Sequence, residues 1–431
     1  MCRFIVLVFF ACVTTLQAQE VKTSQQLCAD GQSRPYVVYT PTNPNPKTKP
    51  LLVFLHGAVA SPQVNANPEG YVRKSPLVAL AETADCYLLF PFGQKGATWF
   101  DAVGQQMVMD EITAVKQQYP IDPDKIFLSG FSDGGSGVYY FAMTQPDPFA
   151  GFIAMNGSLK VASMLGEEEI FPCNMNQKPL YILNTTGDSL YPLEQITPSI
   201  DFLRKENPNI TFKTPTGDHF LGYLPEEQSA LVDFIKNHTR QPLTHIVWET
   251  SNIGKINRIG WLNLKSLALE QERASWHTLY PKVTIQNNKA DLGIKYDYTY
   301  KGKGLRIAGF KNDTVTAKRL GAKEGDVLIA LERDSISSPM APMLYTAQKK
   351  AGDPIELTVL REGATVVLKG NFNQGYPYAL LKHQHKTAKI EAEIKGNELY
   401  VRTSRIGAYE IDRKQTPVKI KGKVKDFINK P

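Results

Sequence analysis

The feature that most constrains the fold is a regular alternation between residues 35 and 240. Short apolar runs such as LLVFLHG (51–57), KIFLSG (125–130) and PLYILNTTG (179–187) are separated by amphipathic segments such as QQMVMDEITAVKQQY (105–119). Apolar runs of this length, joined by helical segments, are typical of parallel strands that helices bury on both faces. The sequence therefore predicts an α/β domain with a mostly parallel sheet flanked by helices.

The first residues have a different character. Arg3 precedes an apolar run from Phe4 to Val13, and small and polar residues follow up to Ala18. This pattern is typical of an export signal cleaved after Ala18, and its apolar run is too short to span a bilayer. We therefore expect a signal peptide over 1–18, a secreted or periplasmic mature protein, and no membrane span.

Composition and cysteine count exclude several classes of function. The chain carries 49 Lys and Arg and 42 Asp and Glu residues, a formal charge of +7, and its basic residues form no block interleaved with aromatics. The pattern of nucleic-acid binding is therefore absent from the sequence. After the signal, Cys28, Cys86 and Cys173 remain, without metal-ligand spacing. We expect at most one disulfide, no metal site and no cofactor.

A serine flanked by glycines follows the apolar run 125–130. The segment GFSDG (130–134), with Ser132 at its centre, fits G-x-S-x-G. In that motif the serine occupies a strained turn between a strand and a helix, and the glycines avoid steric clash. An ordinary turn is the alternative, because glycine and serine are common in turns. A catalytic serine needs a base and an orienting acid, which here follow in the order Ser, Asp or Glu, His.

The sequence has 7 histidines, so the base can be chosen by elimination. His56 precedes the serine, His238 and His245 flank the last helical segment of this domain, and three others fall later in the chain. His219 remains, in the loop PTGDHFLGY after the last strand candidate, where the base is expected. We therefore predict His219 as the general base.

The predicted acid is Asp188, which lies just after an apolar run in YILNTTGDSLYP. Asp218 is a rival because it adjoins His219, but consecutive side chains generally point apart, so it is poorly placed to orient the imidazole. Asp201 falls within a helical pattern. All the catalytic candidates precede Arg240, so we expect the first domain alone to form the site.

An acyl-transfer site also needs backbone N–H groups that stabilise an oxyanion. One candidate is the amide of Asp133, directly after the nucleophile, and the other is Ala58, in the turn after the strand 51–57. His56 is expected to order this turn. Trp99 lies in a loop at the carboxyl end of a strand, so it is a candidate for the substrate pocket, and a ring packed under the loop is the alternative.

These motifs resemble the α/β-hydrolase superfamily. Over about 35–240, LHG, IDPDKIFLSGFSDGG, GDSLYP and GDHF are spaced as in secreted esterases of the feruloyl-esterase, acetylxylan-esterase and polyhydroxyalkanoate-depolymerase type. The resemblance implies a metal-free acyl-enzyme mechanism with Ser132 as nucleophile, His219 as base and Asp188 as acid. It also implies a small-molecule or polysaccharide-linked ester as the substrate.

The chain after Arg240 is rich in strand patterns. Residues 286–371 contain alternating strands, a short helical segment VTAKRL and a Gly-Asp turn before an apolar strand. This segment resembles a PDZ domain, and the pieces 241–285 and 372–431 have similar alternation and are expected to pair across it. The predicted division is a signal peptide, an α/β-hydrolase domain over 19–240, and a small β domain interrupted by the PDZ-like domain.

The resemblance to PDZ domains also implies a binding loop. DLGI (291–294) takes the place of the loop whose backbone amides hold a peptide C-terminus beside a sheet edge. A peptide C-terminus is therefore an expected partner of Leu292, Gly293 and Ile294.

Three functions remain open on the sequence. A serine carboxylesterase is the leading interpretation, and a serine peptidase of the same fold, to which the PDZ-like domain presents chain ends, uses the same acyl-transfer machinery. A non-catalytic peptide-binding protein is the third. The complete set of Ser132, Asp188 and His219 argues against the last.

Overall fold

The computed structural model describes residues 20–43, 47–254, 257–339 and 341–426. The predicted signal peptide lies outside these residues. Within them, none of the helices has the length and apolar character needed to cross a membrane.

An eight-stranded sheet dominates the part of the chain before residue 240. Its strands are β1 (Glu20–Leu27), β2 (Ser33–Thr40), β3 (Lys49–Leu55), β4 (Tyr87–Pro91), β5 (Ile121–Phe131), β6 (Gly151–Met155), β7 (Leu180–Leu183) and β8 (Ile210–Lys213). They lie in the order β1-β2-β4-β3-β5-β6-β7-β8. The pairs β1–β2 and β2–β4 are antiparallel, and the pairs from β4 to β8 are parallel. The predicted α/β-hydrolase fold with a mostly parallel sheet is therefore confirmed.

Helices cover both faces of this sheet. They are α1 (Pro68–Arg73), α2 (Leu77–Ala84), α3 (Ala102–Gln118), α4 (Asp133–Thr144), α5 (Leu159–Leu165), α6 (Leu193–Leu203) and α7 (Leu224–Asn237). Successive side chains of a strand point to opposite faces, so Leu51 and Val53 pack in the core with α3, α4 and α6, whereas Leu52 and Phe54 pack in the core with α2 and α7. Burial of each such side chain contributes about 1.5–3 kcal/mol to the free energy of folding.

The parallel strands end together at one edge of the sheet. Phe131 is opposite Met155, Met155 is opposite Leu183, and Leu183 is opposite Lys213 in the strand register. These are the last residues of β5, β6, β7 and β8. The loops that follow them therefore emerge side by side, which brings segments distant in sequence to one place.

Smaller β sheets follow residue 240. The remaining strands are β9 (His245–Thr250), β10 (Arg258–Ile259), β11 (Leu262–Leu267), β12 (Thr284–Asn287), β13 (Ile294–Tyr296), β14 (Leu305–Phe310), β15 (Val327–Leu331), β16 (Asp334–Ser335), β17 (Pro354–Arg361), β18 (Ala364–Asn371), β19 (Tyr376–Ala379), β20 (Ala388–Lys395), β21 (Glu398–Ser404), β22 (Ile406–Ile411) and β23 (Lys425–Asp426). Two short helices are α8 (Thr316–Arg319) and α9 (Ala341–Ala347).

Strands from the two ends of this region pair with each other. β9 pairs antiparallel with β20, and β11 pairs antiparallel with β22. Trp248 and Leu262 share a buried core with Ile390 and Val401. The β pieces on the two sides of the intervening segment thus form one packed unit.

We call residues 288–375 the inserted module. Its sheet has the order β13-β14-β15-β17-β18, with β16 paired to β15, and it has its own buried core. The strands β12 and β19, which pair antiparallel, enter and leave it. The predicted boundary between residues 285 and 286 falls inside β12 (Thr284–Asn287). Since β12 pairs with β19 and not with the module's sheet, the module begins after this strand.

Candidate active site

Ser132 occupies a strained turn between β5 and α4. Its backbone has φ 56° and ψ −114°, in the left-handed region that residues with a side chain rarely adopt. A Cβ on Gly130 would lie 2.3 Å from the carbonyl oxygen of Gly134, and one on Gly134 would lie 1.8 Å from that of Leu55. Only glycine fits at these two positions, which explains the spacing of the motif.

Ser132, His219 and Asp188 are joined by hydrogen bonds. The Oγ of Ser132 lies 2.9 Å from Nε2 of His219, and Nδ1 of His219 lies 2.8 Å from Oδ2 of Asp188. Since the ionised carboxylate can only accept, Nδ1–H donates to Asp188 and leaves Nε2 to accept from the serine hydroxyl. The imidazole is therefore held in the tautomer that a general base requires.

Further donors fix the carboxylate of Asp188. Its Oδ1 accepts from the backbone N–H groups of Leu190 and Tyr191, both at 2.9 Å, and its Oδ2 also accepts from Nδ2 of Asn156 at 2.8 Å. Burial raises the pKa of Asp188, but the hydrogen bonds from His219 and Asn156 outweigh it, and the pKa lies below the ordinary value. The acid is thus ionised and fixed in orientation.

Asn156 is a site residue that the sequence reasoning missed. It follows β6 directly, is fully buried, and has a φ of 45°. Its Oδ1 accepts from the hydroxyl of Tyr223 at 2.8 Å, which leaves its amide N–H groups to face Asp188. The signal available in the sequence was its position at a strand end, equivalent to that of Ser132 after β5.

The rival carboxylates lie elsewhere. The Oδ1 of Asp218 accepts from the backbone N–H of Phe220 at 2.9 Å, as in a local turn. Asp201 lies in α6 and is exposed, at 3.7 Å from Arg204. Neither of these carboxylates is the one that bonds to His219.

The two predicted oxyanion donors belong to segments that meet at Ser132. Asp133 is the first residue of α4, so its N–H has no acceptor within the helix. A Cβ on Gly57, next to Ala58, would lie 3.0 Å from Cβ of Ser132. The N–H of Val59 donates to Oδ2 of Asp133 at 3.1 Å, which ties the turn to the start of α4.

His56 and Trp99 lie beneath this turn. Nδ1 of His56 lies 2.8 Å from the Gly57 carbonyl, and burial lowers the pKa of His56 to about 4, so the ring is neutral and orders the turn. The indole N–H of Trp99 donates to the His56 carbonyl at 2.9 Å, and its side chain is 0% exposed. The prediction that Trp99 lines the substrate pocket is therefore wrong, because its ring is enclosed under the loop.

Aromatic rings surround the imidazole of His219. Tyr191 approaches it edge-on with ring centroids 5.4 Å apart, and Phe131 lies at 5.2 Å. The neighbouring Phe220 is 49% exposed. The His219 ring is thus held between side chains, next to an apolar surface open to solvent.

The inserted module contacts the loop that carries Asp188. The Nζ of Lys289 donates to the carbonyl oxygen of Leu190 at 2.7 Å. A cleft of about 510 Å³ lies between residues 186–194 and the module. The module therefore folds back against the loop that carries Asp188, and the expectation that the first domain alone forms the site stays a prediction.

The loop DLGI has its polar groups engaged inside the module. The N–H of Gly293 donates to Oδ1 of Asp291 at 2.9 Å, and Leu292 is buried in the module's core. Ile294 begins β13 and lines the cleft next to residues 186–194. The Gly293 amide, which the PDZ resemblance assigns to a peptide carboxylate, is thus already bonded to a carboxylate of the chain.

The cysteines and acidic residues show no sign of a metal centre in the described ranges. No group of three or more His, Cys, Asp or Glu residues there is arranged to hold a metal ion. Cys28, Cys86 and Cys173 are all buried free thiols.

Comparison with known proteins finds similarity over the first part of the chain. The sequence model of the phospholipase/carboxylesterase family matches residues 40–240. The bifunctional acetylxylan esterase/xylanase XynS20E of Neocallimastix patriciarum is 25% identical over 206 residues, which cover 43% of this chain and 28% of that protein. Acetylxylan esterase A of Aspergillus oryzae is 27% identical over 133 residues, which cover 28% of this chain and 40% of that protein. The chain thus spans less than half the length of these relatives.

Solved structures resemble the same half of the chain. The substrate-bound fluorophosphonate-binding serine hydrolase F of Staphylococcus aureus has 18% identity and a TM-score of 0.41, covering 50% of this chain and 98% of that one. A ferulic acid esterase has 16% identity and a TM-score of 0.41, covering 51% and 98%. Residues 40–240 thus match the phospholipase/carboxylesterase family model and are similar in sequence to acetylxylan esterases.

Proposed function

We propose that the protein is an exported serine carboxylesterase that acts through Ser132, His219 and Asp188. The observation that carries this proposal is the hydrogen-bonded relay that begins at Ser132, on a strained turn with φ 56°. A serine held in this way is activated by the neighbouring base, which a serine in an ordinary turn lacks.

The geometry supports an acyl-enzyme mechanism. His219 Nε2 takes the proton of Ser132 as Oγ attacks the ester carbonyl, and the N–H groups of Asp133 and Ala58 stabilise the oxyanion. Asp188 remains ionised and stabilises the imidazolium. The proton on Nε2 then passes to the leaving alcohol. Water, activated by the same nitrogen, hydrolyses the acyl-serine ester and releases the acid.

The relatives support a proposal for the class of substrate. Two of them are named acetylxylan esterases, so we propose acetyl or similar small acyl esters on a polysaccharide or a small alcohol. The exposed ring of Phe220 beside His219 offers an apolar surface to such an acyl group.

The test is a parallel assay of the purified protein with p-nitrophenyl acetate, methyl ferulate, acetylated xylan and casein. The Ser132→Ala variant serves as the control in each assay. Hydrolysis of an ester that requires Ser132 supports the proposal. Hydrolysis of casein alone would show a peptidase instead.

We also propose that residues 1–18 direct export and that the PDZ-like segment, predicted as 286–371 and here the inserted module 288–375, interrupts a β domain formed by the pieces before and after it. The pairing of β9 with β20 supports this division. Expression of the full chain in a bacterial host, followed by N-terminal sequencing of the exported product, tests the signal. A periplasmic product that begins at Gln19 is the expected result, and an uncleaved cytoplasmic product would contradict it.

A further inference from the structure

The loop that carries Asp188 is held at one point by a cation from the inserted module. Lys289 follows β12 by two residues and is half-buried. Its Nζ donates to the carbonyl oxygen of Leu190 at 2.7 Å, a distance typical of a charge-assisted hydrogen bond. Since Lys289 and Leu190 lie 99 positions apart in sequence, this bond exists only when the module is docked on the first domain.

The contacted peptide group also bonds to the acid. The carbonyl of Leu190 and the N–H of Tyr191 belong to one planar peptide unit. Lys289 bonds to the carbonyl end of this unit, and its N–H end donates to Oδ1 of Asp188 at 2.9 Å. A cation on the carbonyl polarises the peptide and makes its N–H a stronger donor. A continuous chain of hydrogen bonds thus runs from Lys289 to Asp188 and His219.

A second contact holds the end of the same loop. Nε2 of Gln195, in the first turn of α6, donates to Oδ1 of Asn287 at 3.1 Å. The hydroxyl of Tyr378 donates to Oε1 of Gln195 at 3.2 Å. Asn287 belongs to β12 and Tyr378 to β19, the paired strands that lead into and out of the module. The loop is therefore held by the module at Leu190 and by the two strands that flank the module at Gln195.

The charges around Lys289 agree with this arrangement. Burial lowers the pKa of Lys289 and the charge of Lys311 acts in the same direction, whereas the carboxylates of Asp188 and Asp291 favour the charged form. The cation therefore bonds to the peptide that caps Asp188 and also interacts electrostatically with its carboxylate.

We infer that Lys289 is a positioning residue for the acid: it holds the Leu190–Tyr191 peptide in the orientation in which its N–H caps Asp188. The inference rests on the proposed esterase function for its catalytic consequence only. The docked module, through Lys289, then determines whether Asp188 is correctly oriented toward His219.

The test replaces Lys289 in the full chain. Lys289→Met keeps the length of the side chain but removes its N–H donors and its positive charge. Lys289→Arg keeps the N–H donors and the charge. With p-nitrophenyl acetate we expect Lys289→Met to lower kcat about tenfold with KM within about twofold, because the change affects the orientation of the acid and not ester binding. We expect Lys289→Arg to recover at least about half of the wild-type kcat.

A matched control is available on the same module. Lys369 forms an exposed ion pair with Glu356 at 2.7 Å on β18 and β17. Lys369→Met removes an equal charge from the module without contact to the acid loop, and we expect wild-type kcat. If Lys289→Met does not yield folded protein, Lys289→Gln provides the same comparison with a shorter, neutral side chain.

Amide hydrogen exchange gives a readout that is independent of activity. The N–H groups of Leu190 and Tyr191 are protected by Asp188, so Lys289→Met should accelerate their exchange while the Lys369 variant leaves it unchanged. The inference is overturned if both amides of Lys289→Met exchange at the wild-type rate. It is also overturned if their exchange is accelerated but kcat stays at the wild-type value. If the wild-type protein hydrolyses no ester, the proposed function fails, and the exchange rates alone decide whether Lys289 positions the loop.

Discussion

Two regions of this protein contain a serine, a histidine and a carboxylate in hydrogen-bonded series. In the first domain they are Ser132, His219 and Asp188, with distances of 2.9 and 2.8 Å. In the β region, Ser404 Oγ lies 3.0 Å from Nδ1 of His277, and Nε2 of His277 lies 3.1 Å from Oε1 of Glu249. Distances alone do not distinguish the two sets.

The two sets differ in the surroundings of the serine, where acyl transfer would begin. Ser404 is the last residue of a strand, its Oγ already accepts from the N–H of Ala274 at 3.1 Å, and His277 and Glu249 are 0% and 1% exposed. Thr387 donates a further hydrogen bond to Glu249 at 2.8 Å. No helix begins at this serine, so it lacks the free N–H groups that Asp133 offers beside Ser132. The strained turn and its access to solvent, more than the hydrogen-bonded series itself, therefore distinguish Ser132, the proposed nucleophile, from Ser404.

The buried set instead joins two parts of the chain. The backbone N–H of Glu249 donates to Oδ1 of Asn174 at 2.8 Å, and Nδ2 of Asn174 donates back to the Glu249 carbonyl at 2.9 Å. Asn174 belongs to the first domain, in the segment between α5 and β7. The Glu249 cluster is therefore a joint between the hydrolase domain and the β domain.

The largest effect that separates the two regions is expected for Ser132→Ala. Loss of the proposed nucleophile should leave only the oxyanion donors and substrate binding, so turnover of p-nitrophenyl acetate should fall on the order of 10³-fold or more. His219→Ala should have a similar effect, because members of a triad act as a unit. Thermal melting of both variants checks that they fold. Near-native turnover by Ser132→Ala would show that Ser132 is not the nucleophile and that its turn has no catalytic role.

The acid of the first set is tested by comparing Asp188→Asn with Asp218→Asn. Asparagine at 188 places an amide where His219 needs an acceptor, so we expect a fall in kcat of about 10²-fold or more with little change in KM. Asp218→Asn should change kcat by less than about threefold, since its carboxylate bonds to the Phe220 amide. Steady-state kinetics at saturating ester measure both. A larger loss with Asp218→Asn contradicts the assignment of the acid.

The buried set is expected to affect stability and not turnover. Burial raises the pKa of Glu249, but hydrogen bonding to His277 and the charge of Lys389 outweigh it, and the pKa lies below the ordinary value. Glu249→Gln should lower the free energy of unfolding by about 1–3 kcal/mol near neutral pH and leave kcat unchanged. A group with a depressed pKa loses its contribution as the pH falls through that pKa. The difference between wild type and variant in urea unfolding should therefore narrow in acid.

The smallest effect is expected for Ser404→Ala. This change removes one acceptor for the Ala274 amide and one partner of His277, which should cost about 1 kcal/mol of unfolding free energy. Ester hydrolysis should stay within about twofold of wild type. The variants Ser132→Ala and Ser404→Ala thus compare two serines that each form a hydrogen bond with a histidine. A strong loss of turnover in Ser404→Ala would show that the joint also supports the active site.

Much of the first domain can be predicted from the sequence, because its parallel strands are buried on both faces and appear as apolar runs. β1 cannot be found in this way: EVKTSQQL is polar and mostly exposed, and it is held by backbone pairing with β2 at the sheet's edge. α5 lies inside a connection that shows no clear helical period. Propensity and pattern do not encode edge pairing or short packed helices.

The residues of the candidate site also differ in whether the sequence predicts them. The proximity of Ser132, Asp188 and His219 follows from their positions after β5, β7 and β8, parallel strands that end at the same edge of the sheet. Asn156 follows another of these strands, but an amide has no titratable group that would single it out. The contact of Lys289 depends on how an inserted module docks, and no periodicity in the sequence determines this.

The pairing of β9 with β20 across the inserted module has a consequence for biosynthesis. β9 leaves the ribosome before the whole module, and β20 leaves after it, so the sheet they share has a high contact order. Until translation reaches Thr387 and Ser404, His277 and Glu249 lack the partners that satisfy them when buried. Domains generally fold as units during synthesis, N-terminal first. The β domain is therefore the last part of the chain able to close, after the hydrolase domain and the module have emerged.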